Sequence, residues 1–201
     1  MRTKRCFISI KLPKKVINEI KNIQNLIKKK NIFIGKFTEP ENLHLTLKFL
    51  GEIDEYKISK VMGALKSVEF NEFEAELGYL GIFANKFLKN PGFFVSKNSK
   101  KEKVSDIKII WVELLGKVFE LQKEIDNKLN NLFKPENIFM SHITIARVKH
   151  VFNKKELIDY LRNIKPRKIK FKIDKFYLME SELKSDKPVY KEIEKYGLTF
   201  N

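Results

Sequence analysis

Apolar and polar positions along the chain fall into short runs of period two and longer runs of period 3.6, and the two kinds take turns. Cys6 to Leu12 alternates as a strand, and Pro13 then opens a helix whose Val16, Ile20, Ile23 and Ile27 form one stripe to bury. Leu43 to Leu50 alternates again. Asp54 to Val68 carries Ile58, Val61, Met62 and Leu65 at helical spacing, behind an Asp54 suited to cap the first turn. Phe70 to Phe83 predicts a further strand or hairpin. Asn85 to Asp106 is rich in Lys, Asn and Ser and is broken by Pro91-Gly92, which predicts a loop or an extended hairpin excursion.

The same order then repeats. Ile107 to Leu115 predicts a strand with Trp111 packed in the core, followed by a helix with the stripe Val118, Leu121, Ile125, Leu129 and Leu132. His142 to Val148 is a strand, and Lys154 to Ile164 a short helix with Leu157, Tyr160 and Leu161 inward. Ile169 to Leu183 and Val189 to Phe200 are strand-like runs. Each half therefore reads strand, helix, strand, helix, strands. This predicts an α+β fold of two similar lobes facing one another, with mostly antiparallel sheets. No Pro/Gly/Ser linker divides the chain, so residues 1–201 read as one bilobal unit.

Composition narrows the class. A chain of 201 residues that is 43% hydrophobic can bury a sizeable core. No apolar run reaches the roughly eighteen residues needed to span a bilayer, so no membrane partner is expected. The basic start, Met1 to Ile10, loses its apolar run at Lys11 and Pro13 before a signal-peptide core could form, and the expected setting is the cytoplasm. Cys6, the lone cysteine, excludes an internal disulfide and a cysteine-based metal cluster, and reads as a packed strand residue. The 41 Lys and Arg against 25 Asp and Glu give a net charge of +16, which points to a polyanionic partner through counterion release from phosphates. A Lys-rich solvated surface is the plainer reading of the same excess.

The chemistry lies in a motif used twice, His44-Leu45-Thr46-Leu47 and His142-Ile143-Thr144-Ile145. Side chains alternate across a strand, so His44 and Thr46 share one side, roughly 6.6 to 6.8 Å apart, with leucines on the other; His142, Thr144 and Ala146 repeat the division. Hydrolysing a cyclic phosphodiester needs a base for the attacking water and an acid for the leaving ribose oxygen. Two histidines can divide those roles near neutral pH. The threonine hydroxyls can donate to non-bridging phosphate oxygens. Arg147 is a candidate phosphate clamp, yet on a regular strand it has the opposite parity to His142, so a twist, bulge or strand end must bring it round. A structural zinc site is the rival, but each strand offers one good ligand and nothing nearby completes a set of three or four, so no metal is expected. His150 reads as a solvated loop residue or an RNA contact.

These residues carry a resemblance to the 2H phosphoesterases, and within them to the LigT-like RNA 2′,3′-cyclic phosphodiesterases, also called 2′-5′ RNA ligases. Its marks run through nearly the whole chain: Arg5 to Ile10, Asn42 to Glu52, Ile110-Trp111-Val112, Ser141 to Val148, and Glu180 to Leu183 before Tyr190. The resemblance implies lobes related by a pseudo-twofold, with helices on the outer faces of the sheets and one H-x-T strand per lobe. It also implies no cofactor, and hydrolysis of an RNA 2′,3′-cyclic phosphate to a 2′-phosphate, with His44 as proton donor and His142 as proton acceptor. RNA ends such as tRNA halves, a monomeric state, and reversible 2′-5′ ligation through the same transfer at phosphorus go with it. The basic stretch from Lys86 to Lys103 departs from the family pattern. Two other functions fit the residues: an esterase for a small cyclic nucleotide or ADP-ribose cyclic phosphate, and a non-catalytic RNA-binding module.

Overall fold

The computed structural model describes residues 2–84, 93–94, 106–184 and 187–199, with the backbone alone at 93, 94 and 184. In the first half, β1 (Thr3–Lys11), α1 (Lys14–Lys30), β2 (Phe33–Phe37), β3 (His44–Asp54), α2 (Glu55–Lys66) and β4 (Phe73–Ala84) follow one another, with β5 (Phe93–Phe94) paired to β4. The second half runs β6 (Ile107–Leu115), α3 (Val118–Lys128), β7 (His142–Val151), α4 (Lys154–Asn163), β8 (Phe171–Ile173), β9 (Lys175–Lys184) and β10 (Lys187–Gly197).

Local chemistry sets these elements. Asp54 caps α2, its carboxylate accepting from the Lys57 N–H at 2.8 Å, and Asn153 caps α4 in the same way through the Glu156 N–H at 3.1 Å. Helix α1 ends on Asn31, whose left-handed φ of 51° stops the helix behind Lys28, Lys29 and Lys30, cations that suit the negative end of its dipole.

The strands join in the order β10-β9-β1-β3-β7-β6-β4-β5, antiparallel throughout. That order reads the same from both ends under exchange of the halves: β3 trades with β7, β1 with β6, β9 with β4. The pseudo-twofold passes between the two motif strands, which meet at the pair Leu45 and Ile143. The helix stripes Val16-Ile20-Ile23-Ile27 and Val118-Leu121-Ile125 pack in one core with Leu45, Leu47, Ile143 and Ile145 from the apolar face of the sheet. The opposite face is left to the histidines. None of the described helices is long and apolar enough to cross a membrane.

Four expectations need correction. Strand β2, which pairs with β7, has no counterpart among the predicted elements. The run from Ile169 to Leu183 is two strands, because Asp174 breaks it: β8 pairs with the start of β4, while β9 joins β1 and β10. Helix α3 ends at Lys128, and Leu132 is carried into the core by a turn, with the N–H groups of Leu132 and Phe133 both donating to the Leu129 carbonyl at 2.9 Å. His150 lies in β7 opposite Ile34, in a strand rather than a loop. The predicted excursion from Asn85 to Asp106 falls, apart from β5 and Asp106, outside the described residues.

A buried ion pair fastens β3 to the second half. Lys48, almost fully buried, sets its ammonium 2.5 Å from Asp126 of α3 and donates to the Lys134 carbonyl at 2.9 Å. The other Asp126 oxygen accepts from Gln122 and from the Glu136 N–H, both at 2.8 Å. The segment held this way, Lys134 to Glu136, leads into the second motif strand.

Candidate active site

Both motif strands break their alternation at the same place. Along β3, Leu47 and Lys48 are both buried, because Ile8 pairs with Lys48 while Ser9 pairs with Thr46 and leaves Leu47 as the extra residue of a bulge. Along β7, Ile145 and Ala146 are both buried, because Ile110 pairs with Ala146 while Trp111 pairs with Thr144. Each bulge resets the parity, so the third residue after the threonine returns to the face of the histidine. That residue is Arg147 in β7 and Phe49 in β3. The bulge that the position of Arg147 demands is present, and the pseudo-twofold sets a cation and an aromatic ring in equivalent places.

The face so formed is the floor of a cleft of about 550 Å³. His44, Thr46, His142, Thr144 and Arg147 all line it, so the structure brings together every site residue named from sequence. Continuing the antiparallel register through Leu45 and Ile143 sets His44 across from Thr144, and Thr46 across from His142.

Each histidine is held by the same local device. His44 Nδ1 lies 2.7 Å from the Asn42 carbonyl, and His142 Nδ1 lies 2.8 Å from the Met140 carbonyl, two residues upstream in each case. A carbonyl oxygen only accepts, so Nδ1 must carry its hydrogen and donate, which turns Nε2 towards the cleft in both rings. Nε2 of His44 is 3.0 Å from the Thr46 hydroxyl. Ring packing fixes the orientations. Phe7 and Tyr190 each lie 5.0 Å from the His44 ring, and Phe83 lies edge-on to the His142 ring at 4.8 Å.

Electrostatics follow from this enclosure. Burial lowers the His44 pKa from its ordinary 6.5, the Asn42 carbonyl opposes the shift, and the charges of His142 and Arg147 lower it further. His142 is lowered as well, mainly by burial and against the Met140 carbonyl. Cys6, at the cleft wall, has its thiol pushed up to about 11, first by burial and then by Glu180, which favours the protonated thiol near neutral pH. Among the described residues, no group of three or more His, Cys, Asp and Glu is placed to hold a metal ion.

Alternation alone misses Phe49, Phe7, Arg5, Lys36, Lys187 and Tyr190, all of which line the cleft. Phe7 and Tyr190 come from β1 and β10, and only the sheet order places them beside His44. Lys36 comes from the unpredicted β2, where it pairs with Arg147.

Sheet and cleft together define a bilobal α+β protein that gathers one histidine-threonine pair from each lobe at a shared centre. The chain belongs to the LigT-like phosphoesterase family, whose model matches residues 10–93 and 112–190, one segment in each half. It is 33% identical over 195 residues to the RNA 2′,3′-cyclic phosphodiesterase of Methanocaldococcus jannaschii, covering 96% of this chain and 99% of that one. The protein of the same name from Methanothermobacter thermautotrophicus is 28% identical over 202 residues, covering 96% and 98%. The fold is shared with a solved Thermus thermophilus protein (TM-score 0.70, 22% identity, 96% and 97% of the chains). It is shared equally with E. coli LigT complexed with 3′-AMP (TM-score 0.70, 17% identity, 99% of both).

Proposed function

We propose that this chain is an RNA 2′,3′-cyclic phosphodiesterase, opening a terminal cyclic phosphate to a 2′-phosphate by two-histidine acid-base catalysis. The observation that carries the reading is the matched pair of Nδ1-anchored imidazoles, with His44 Nε2 beside the Thr46 hydroxyl, in a cleft that also holds Thr144 and Arg147. His142 Nε2 takes a proton from water as its oxygen bonds to phosphorus. The bond from phosphorus to the ribose 3′ oxygen breaks, and protonated His44 gives that oxygen its Nε2 proton. Thr46, Thr144 and Arg147 donate to the non-bridging oxygens and hold phosphorus in line. With a 5′-hydroxyl in place of water, the same transfer joins RNA ends through a 2′-5′ linkage.

The two ends of the cleft differ in character. Arg147 makes the β7 side cationic and suited to phosphate, while Phe49, Phe7 and Tyr190 make the β3 side aromatic and suited to stacking a base. One chain supplies both histidines, so the reading needs no second copy. RNA ends such as those of tRNA halves, in the cytoplasm, are the substrates in view.

The deciding experiment is single-turnover hydrolysis of a short RNA with a 2′,3′-cyclic phosphate end, in excess EDTA, for the parent, His44→Ala and His142→Ala. The expected result is a 2′-phosphate product from the parent and a loss of about 10²-fold or more in either variant. Near-parental rates in a single variant, or a parent inactive without divalent metal, would overturn the mechanism. Inhibition of the parent by small cyclic nucleotides but not by long RNA would favour the small-molecule esterase.

A further inference from the structure

The parity of β7 shifts a second time beyond the cleft. Phe33 pairs with Val151 and Ile34 with His150, but Gly35 pairs with Val148, so Lys149 is the extra residue of another bulge. Burial follows the shift: Val148 is buried, Lys149 and His150 are exposed, and Val151 turns back towards the core. His142, Thr144, Arg147 and His150 therefore all face the same side, at spacings of two, three and three. Phe152 continues the line, its ring 5.6 Å from that of His150 and 56% exposed. Across the ribbon, Lys36 pairs with Arg147, and Ile34, 51% exposed, pairs with His150.

The result is a solvent-facing strip that starts in the cleft at Arg147 and Lys36 and runs out through Lys149 and His150 to Phe152. At roughly 3.3 Å per residue its length is about 16 Å. Cations interleaved with exposed flat rings, continuous with a phosphate-binding centre, are the features that hold a single strand of nucleic acid without reading its sequence.

We propose that the β2–β7 ribbon is a second RNA subsite, binding the single-stranded nucleotides on the 5′ side of the terminal cyclic phosphate. The proposal rests on the RNA phosphodiesterase reading and adds to it where the body of the substrate lies. Backbone phosphates meet Lys36 and Lys149, and unstacked bases lie on His150 and Phe152. A cyclic mononucleotide fills the cleft and does not extend to Lys149, His150 or Phe152.

The test compares the parent with Phe152→Ala, His150→Ala and Lys149→Glu, with Lys66→Glu on α2 as a charge control remote in sequence. Two readouts are used: hydrolysis of 2′,3′-cyclic AMP against hydrolysis of an unstructured RNA oligomer with the same end, and fluorescence anisotropy of that oligomer's 2′-phosphate product. Ribbon variants are expected to raise KM for the oligomer, and Kd for its product, by about tenfold. Their rates on cyclic AMP should match the parent, which also shows that they fold. Lys66→Glu should leave both substrates nearly unchanged. Unaltered oligomer KM and Kd in the ribbon variants, or an equal loss from Lys66→Glu, overturns the subsite while the phosphodiesterase reading stands. A parent that binds the oligomer through the ribbon yet hydrolyses neither substrate overturns the catalytic reading and leaves the subsite.

Discussion

His44 and His142 commit Nδ1–H to a backbone carbonyl whether or not they are charged, so protonation changes only what Nε2 presents: a lone pair or a donor. The proposed mechanism needs one of each. Because burial lowers both pKa values in the free enzyme, the form with one neutral and one charged imidazole is most populated below the ordinary value of 6.5. The pH profile of kcat/KM, which reports the free enzyme, should therefore be a bell with its maximum below pH 6.5. Arg147 is among the groups that hold His44 down. Arg147→Met should move the alkaline limb upward while weakening substrate binding. A limb that stays in place would show that the guanidinium does not sense the His44 proton. The histidines, the threonines and the face they share are legible in the sequence, because alternation in an apolar strand fixes them. Arg147 is legible as a type of residue but not as a position, since nothing in Ile145-Ala146 announces a bulge.

At the scale of elements, the two helix-and-strand repeats can be read because buried stripes at helical spacing and alternating strands leave strong periodic signals. The elements that escape are those whose burial is not periodic. Strand β2 has one buried residue among its five, and Gly35 is required there by close approach: a Cβ would collide with the Arg147 carbonyl oxygen and the Phe33 ring. The break at Asp174 is a change of partner strand, which alternation does not record. Lys48 is the clearest case of tertiary override, a charge on the buried side of a strand that only its partner on α3 explains. Lys48→Met should strand the Asp126 carboxylate in the core and cost about 3–5 kcal/mol, read from the urea midpoint at constant m-value. Lys48→Met combined with Asp126→Leu should recover most of that loss. If the single variant is as stable as the parent, the pair is not what holds α3 and the 134–136 segment to β3. Because that segment leads into His142, the single variant should also lower kcat on cyclic AMP, where ribbon contacts play no part.

The whole molecule combines a symmetric scaffold with an asymmetric surface chemistry. The twofold makes two equivalent strands, two equivalent bulges and two equivalent histidines, while substitution at matched positions makes one flank of the cleft cationic at Arg147 and the other aromatic at Phe49. The chain carries a net charge of +16, and two readings of it, RNA attraction and a generally solvated Lys-rich surface, make different demands on salt. If the charge grips RNA, log(kcat/KM) for an RNA oligomer falls linearly with log[salt], with a slope of about −0.7 for each phosphate neutralised on a single strand. Cyclic AMP offers one phosphate, so its slope should be shallow. The difference between the slopes counts the contacts outside the cleft, and Lys149→Glu, on the ribbon, should reduce it. Identical slopes for the two substrates would mean that the excess cations act on all anions alike, leaving RNA selectivity to the cleft itself.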